Sequence, residues 1–89
     1  MNIVGRRILI TGASRGLGRA LAFACADAGA KEVLAGMRQT EAFDEPEGRA
    51  VIKPIRLDVT DEQDIAAASG LGFIDILVNN AGVAGYGIR

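Results

Sequence analysis

Three glycines between an apolar run and a helix-like run constrain this 89-residue chain more than any other feature. Gly12, Gly16 and Gly18 follow the residues ILIT in the spacing Gly-x-x-x-Gly-x-Gly. Where a strand turns into a helix, the first helical N–H groups lack partners and the helix dipole is positive. Glycines let the backbone turn sharply and approach a pyrophosphate without an intervening Cβ. The spacing predicts an anion site at this junction, with a tight turn that binds nothing as the alternative.

Short apolar runs alternate with helix-like runs along the rest of the chain. We predict strands at residues 6–11, 32–36, within 51–59 and at 74–80, and helices at residues 17–28 and 60–69. The third strand is expected to begin after Pro54, because proline cannot donate to a central ladder. Residues 38–48 are polar and predict a loop with at most one helical turn. This alternation predicts an α/β fold with a parallel sheet and right-handed crossovers. We expect a partial doubly wound (Rossmann) sheet of about four strands, incomplete on one side, in which the order 3-2-1-4 would place strands 1 and 4 beside the topological switch point.

The two predicted helices have different sequence signals. In the first helix, six residues at spacings of three and four form the predicted buried face: Leu17, Ala20, Leu21, Ala24, Cys25 and Ala28. Gly29 is expected to end that helix. In the second helix, Thr60 is expected to be the N-cap, with Gln63 reaching back to it.

The end of the second strand indicates which dinucleotide the glycine turn would bind. NAD sites usually place an Asp or Glu about 20 residues further on, to bind the ribose hydroxyls. Here the strand ends in Gly36-Met37-Arg38, without a carboxylate, and Arg15 lies inside the glycine turn. Two guanidinium groups near the ribose favour a 2′-phosphate, so we expect NADP rather than NAD. The alternative is that both arginines are solvated surface residues.

Other polar residues follow the predicted strands at the same edge of the sheet. Asp58 is placed to contact an adenine or to help cap the next helix. Asn79 and Asn80 follow the fourth strand, where ligands of parallel sheets bind, although these residues also favour a plain turn. Ser14 has no histidine to activate it, so we expect a phosphate contact or a helix cap rather than a nucleophile.

Composition excludes several classes of function. The chain has no histidine, the commonest general base and transition-metal ligand, and we expect no metal site. Its net charge is −1 and its charges are interspersed, without the basic face that nucleic-acid binding needs. No apolar run approaches the roughly 18 residues of a membrane span, and no signal-peptide core is present. We therefore expect a soluble, cytoplasmic protein.

The motifs TGASRGLG (residues 11–18), LDVT (57–60) and NNAG (79–82) together resemble the classical subfamily of the short-chain dehydrogenase/reductase family. Three motifs in this order are much more specific than any one of them. The resemblance extends over essentially the whole chain but corresponds to the family's N-terminal part. It implies an NAD(P)-dependent oxidoreductase that interconverts alcohols and carbonyls by hydride transfer.

The resemblance also implies a role for each matching residue. Seven residues of the turn would cradle the pyrophosphate: Gly12, Ala13, Ser14, Arg15, Gly16, Leu17 and Gly18. Arg38 would meet the 2′-phosphate. Two residues, Asp58 and Val59, would line the adenine pocket. Three residues would pass beside the ribose: Asn80, Ala81 and Gly82. Asn79 and Asn80 would in addition steady the edge of the sheet.

The family's catalytic serine and Tyr-x-x-x-Lys pair lie beyond the NNAG turn. Tyr86 is the only tyrosine and is followed by Gly-Ile-Arg, so it does not match. We expect residues 1–89 to be the N-terminal part of one dinucleotide-binding domain, without catalytic residues, inactive alone, and oligomeric only as the complete protein. The alternatives are a stand-alone NADP(H)-binding module and an inactive remnant. The substrate would be set by residues of the missing half.

Overall fold

Four parallel strands alternate with helices in the computed structural model, which describes residues 2–43 and 50–80. The elements are β1 (Arg7–Ile10), α1 (Gly16–Asp27), β2 (Glu32–Met37), a 3-10 helix (Thr40–Ala42), β3 (Ile52–Arg56), α2 (Glu62–Ala68), a second 3-10 helix (Ser69–Leu71) and β4 (Ile76–Val78). The strand order β3-β2-β1-β4 confirms the predicted order 3-2-1-4. Among the helices described, none combines the length and apolar character needed to cross a membrane.

The central strands are buried on both faces, which explains their uninterrupted apolar sequences. Ile8 and Ile10 of β1 are fully buried in the cluster that also contains Ala22 of α1. Leu9, between them, belongs to a second cluster, against which Ala68 and Leu71 pack. Because successive side chains of a strand point to opposite faces, α1 covers one face of the sheet, and α2 with the 3-10 helix after it covers the other.

The buried face of α1 differs from the predicted one. Gly18 and Ala22 are its buried residues, and Leu21 and Cys25 pack partly against the core, as predicted. The other four predicted positions are exposed: Leu17, Ala20, Ala24 and Ala28. The reason is the close approach of Gly18 to the carbonyl group of Gly12, which fixes the rotation of the helix and turns Leu17 outward.

The prediction that β3 begins after Pro54 is wrong. The strand runs from Ile52 to Arg56, and Pro54 lies opposite Ala35 of β2. Because β3 is an outer strand, proline is tolerated where its nitrogen faces away from the partner. The ladder bonds at the two ends of this pairing involve Val51 and Leu57, and their alternation places the Pro54 nitrogen on the outer side.

The N-cap of α2 also differs from the prediction. Asp61, not Thr60, is the cap, and its carboxylate accepts from the backbone N–H groups of Gln63 and Asp64. A carboxylate one residue later satisfies the same unpaired N–H groups and also carries the charge that the helix dipole favours. The helix therefore begins at Glu62 rather than at residue 60.

A charged cluster fixes the amino ends of the strands, opposite the glycine turn. Glu32 pairs with Arg7 at 2.8 Å and with Lys53 at 2.9 Å. Hydrogen bonds from Lys53 and then Arg7 hold the pKa of the Glu32 carboxyl below its usual value. Arg7 also donates to the carbonyl oxygens of Leu71 and Phe73, which ties the segment before β4 to β1.

Candidate functional site

The glycine turn lies at the carboxyl end of β1 and leads directly into α1. Gly12 and Gly16 have φ angles of 64° and 62°, in the left-handed region that favours glycine. At Gly18, an added Cβ would lie 2.2 Å from the carbonyl oxygen of Gly12, a distance that no side chain can occupy. The three glycines are thus needed for two sharp turns and one close helix–strand approach.

Hydrogen bonds with the end of β4 hold this turn in place. The backbone N–H of Thr11 donates to the carbonyl of Val78 at 3.0 Å. The Thr11 hydroxyl donates to Oδ1 of Asn79 at 3.2 Å, and Nδ2 of Asn80 donates to the carbonyl of Gly12 at 3.1 Å. Asn79 and Asn80 thus connect the end of β4 to the residues that follow β1. The strand order reverses between these two strands.

The two helices differ at their N-termini. Arg15 is the N-cap residue of α1, with no side-chain capping bond, and the first turn of α1 contains no acidic residue. In α2, Asp61 caps the helix and Glu62 and Asp64 lie in its first turn. A helix N-terminus that lacks such partners retains N–H groups and positive potential for an anion. Of these two helices, only α1 offers that potential, and it does so inside the glycine turn.

An open cleft of about 900 Å³ lies beside this turn. Its lining comes from the glycine turn and from the carboxyl ends of β2 and β3: Gly12, Ser14, Arg15, Met37, Arg38, Gln39, Leu57, Asp58, Val59 and Thr60. Ligands of doubly wound sheets bind at the carboxyl ends of the strands. The cleft therefore lies where the fold predicts a ligand.

The charged groups of the cleft are two arginines and one carboxylate. Arg15 is exposed, and the Arg38 side chain is 83% exposed. Nε of Arg38 lies 3.7 Å from Oδ2 of Asp58. Hydrogen bonds from the Thr60 hydroxyl and backbone N–H hold the pKa of the Asp58 carboxyl below its usual value, and the Arg38 charge adds to this. Asp58 is therefore an anion at neutral pH, while the arginines present positive charge to the solvent.

The structure brings six of the predicted binding residues to this one cleft: Gly12, Ser14, Arg15, Arg38, Asp58 and Val59. Ala13 does not line the cleft, because it is fully buried and its N–H donates to the carbonyl of Gly36. Gly16 and Leu17 are exposed in the first turn of α1, and Gly18 is buried beneath it. Ala81, Gly82 and Tyr86 lie outside the described residues.

Sequence reasoning missed four residues of the lining: Met37, Gln39, Leu57 and Thr60. Met37 and Leu57 end the second and third apolar runs, so their place at the carboxyl edge was a usable signal. Thr60 donates through its hydroxyl and its N–H to Oδ1 of Asp58, at 2.6 and 2.9 Å. The Asp-x-Thr spacing is typical of such a local turn, in which the Asp accepts from the residue two positions on.

Comparison with known proteins gives the family. The sequence model for short chain dehydrogenase matches residues 6–88, nearly the whole chain. The chain belongs to the short-chain dehydrogenase family. Among its relatives, the short chain dehydrogenase tazN of Aspergillus terreus is 38% identical over 99% of this chain and 22% of the relative. The L-xylulose reductase of Mus musculus is 36% identical over 94% of this chain and 35% of the relative.

Solved structures of the family support the same fold. A short chain dehydrogenase from Burkholderia cenocepacia, crystallised in complex with NADP, superposes with a TM-score of 0.81 at 36% identity. The match covers 90% of this chain and 33% of that one. The chain therefore spans about a third or less of the length of these short-chain dehydrogenases.

Proposed function

We propose that this chain is the N-terminal, cofactor-binding part of a single dinucleotide-binding domain in an NADP-dependent short-chain dehydrogenase/reductase. One observation carries the proposal: the uncapped N-terminus of α1, inside the glycine turn, adjoins the same cleft as Arg15 and Arg38. A pyrophosphate and a 2′-phosphate are anions that such an arrangement would bind. The oxidoreductase family to which the chain belongs supports a dinucleotide over other phosphate ligands.

Each part of the cofactor has residues suited to it. The turn residues 12–18 would hold the pyrophosphate, with Gly18 allowing the helix to approach and Ser14 offering a hydroxyl. Asp58 and Val59 would line the adenine pocket. Asn80, Ala81 and Gly82 would lie beside the ribose. When bound, the nicotinamide supplies or accepts a hydride, and this part of the chain would hold and orient the dinucleotide.

Preference for NADP is supported at the end of β2. That strand ends in Gly36, Met37 and Arg38, so no carboxylate is present there to bind the ribose hydroxyls of NAD. Arg38 extends from this end into solvent at the rim of the cleft, where its charge is available to a phosphate. The NADP complex of the Burkholderia relative agrees with this preference.

Alcohol–carbonyl hydride transfer is proposed for the whole protein. The family's serine and Tyr-x-x-x-Lys motif have no match among these residues, and Tyr86 does not supply one. We therefore place the proton-transfer groups and the substrate pocket outside this part, and expect it to bind cofactor without turnover. A cytoplasmic location is proposed on the same basis, since NADP(H) is an intracellular dinucleotide.

A second candidate is a stand-alone NADP(H)-binding module. It is favoured by the position of the lining residues, since those that the structure describes all lie between positions 12 and 60. A module and an enzyme fragment would bind the cofactor alike. They differ in whether the encoding gene continues in frame, or after a frameshift, into a Tyr-x-x-x-Lys motif.

Titration of the 89-residue chain with NADPH and NADH tests the cofactor proposal. We expect NADPH to bind roughly 10- to 100-fold more tightly, the effect of a charge-assisted contact with the 2′-phosphate. Arg38→Asp should remove that preference, because it replaces the cation with a repelling carboxylate. Arg6→Gln, which also removes a positive charge but lies at the other end of β1, is the matched control and should retain it. Equal affinities in the parent chain would contradict NADP preference.

A further inference from the structure

Arg38 is connected to Asp58 and Thr60 by a short chain of contacts. Thr60 directs both its hydroxyl and its N–H to Oδ1 of Asp58, at 2.6 and 2.9 Å. The other oxygen, Oδ2, faces Nε of Arg38 at 3.7 Å. The backbone of Asp58 is fixed as well, because its N–H donates to Asp64 at 2.9 Å. None of these contacts is needed to cap α2, which Asp61 already caps.

The two partners of this ion pair are held very differently. The Asp58 side chain is 22% exposed, whereas that of Arg38 is 83% exposed. Asp58 is thus the fixed partner, whereas Arg38 has a long side chain that lies in solvent and has many accessible rotamers. Exposed ion pairs contribute little to the free energy of unfolding. We therefore consider the effect of this contact on the orientation of the Arg38 side chain.

The contact leaves one edge of the guanidinium available. A guanidinium has several N–H groups in a rigid fork and can engage a phosphate through two of them at once. Asp58 faces the Nε side, and among residues 2–43 and 50–80 no other hydrogen bond or ion pair engages Arg38. Within that part of the chain, the terminal nitrogens remain available for an anion at the rim of the cleft.

We propose that Asp58 and Thr60 are positioning residues for recognition of the 2′-phosphate by Arg38. Thr60 orients the Asp58 carboxylate, the carboxylate holds the Nε side of Arg38, and the terminal N–H groups are presented to the phosphate. The inference rests on the proposed NADP-binding function. It assigns to a carboxylate, which by itself repels phosphate, a favourable effect on phosphate selectivity. The opposite arrangement, in which Asp58 competes with the phosphate for Arg38, predicts an effect of opposite sign.

The ratio of the dissociation constants for NAD⁺ and NADP⁺ tests this. Adenine and pyrophosphate contacts are common to both ligands, so a general structural loss lowers both affinities and leaves the ratio unchanged. We expect Asp58→Asn and Thr60→Val each to lower the ratio roughly three- to tenfold, as expected for loss of one orienting contact. Thr60→Ser, which keeps the hydroxyl, should retain the parent ratio. The ratio for 5′-AMP and 2′,5′-ADP should change in parallel.

A double substitution shows whether the effect passes through Arg38. Arg38→Gln should give the largest fall in the ratio, and Asp58→Asn should have no further effect in that background. An unchanged or raised ratio in Asp58→Asn would overturn the inference, as would additive effects in the double variant. If the parent ratio depends on Arg38 but not on Asp58 or Thr60, the inference alone fails. If the parent binds neither dinucleotide, or if its ratio does not depend on Arg38, the proposed function fails and the inference with it.

Discussion

Gly18 has no room for a side chain. A Cβ there would meet the Gly12 carbonyl oxygen at 2.2 Å, and Nδ2 of Asn80 at 2.7 Å. Asn80 itself donates to that same carbonyl. One missing methyl group therefore lets α1, β1 and the end of β4 meet at one point. The glycine spacing predicted a sharp turn and a close approach to a pyrophosphate, but it predicted neither this helix–strand approach nor the part that Asn80 has in it.

Gly18→Ala should lower both stability and dinucleotide affinity. The new methyl must displace backbone rather than a flexible side-chain end, so we expect a loss of roughly 1–3 kcal/mol in the free energy of unfolding. The matched control is Gly70→Ala, because a Cβ at Gly70 meets nothing within 4 Å and Gly70 has no positive φ. Urea unfolding and NADPH titration of both variants measure the two effects. Equal stabilities for the two variants would contradict the close approach at Gly18.

At the scale of the element, the two helices differ in how the unpaired N–H groups at their N-termini are satisfied. Residue Asp61 supplies an N-cap to α2 and closes its N–H groups to other anions. The N-cap residue of α1 is Arg15, whose side chain makes no capping bond. Helix α1 has 12 residues and α2 has 7. The longer helix thus leaves its N-terminus to be satisfied by water or by a ligand. This difference between elements, rather than the glycines alone, favours a binding role for the turn.

Asp61→Ala should lower the free energy of unfolding of the chain in the absence of any ligand. Loss of an N-cap typically costs about 1 kcal/mol, and α2 leads into Ala68 and Leu71, which cover the second core cluster. Glu62→Ala is the control, since it removes the same charge from the same helix without removing a capping bond. We expect it to cost only a few tenths of a kcal/mol. Denaturation midpoints compare the two, and equal losses would contradict the assigned cap.

Local sequence signals predicted the elements better than their orientation. Parallel pairing follows from the alternation of strands and helices, and the observed order agrees with the expected one. A 3-10 turn at Thr40–Ala42 agrees with the predicted helical turn. Four of the six positions predicted for the buried face of α1 are exposed because alanines at spacings of three and four mark two possible faces, and a tertiary contact at Gly18 selects between them. The beginning of β3 was missed because Pro54 excludes a central strand but not an outer one.

The two edges of the described sheet differ at the scale of the whole molecule. The β3 edge carries Pro54 with Lys53 and Arg56, which discourage pairing with another strand. The β4 edge has no such residues within Ile76–Val78, and Leu77 is 63% exposed. The groups that line the cleft come from the other side, between the glycine turn and β3. Cofactor binding is therefore expected of these residues themselves, whatever lies beside β4.

The central claim is that a dinucleotide lies at the N-terminus of α1, and amide chemical shifts test it residue by residue. The ¹⁵N-labelled 89-residue chain would be titrated with NADP⁺ and its two-dimensional NMR spectrum followed. We predict saturable shifts for the amides of residues 12–18 and of Arg38, and little change for Gln63 and Asp64, whose N–H groups Asp61 already caps. The absence of saturable shifts in residues 12–18, or shifts confined to the start of α2, would contradict it.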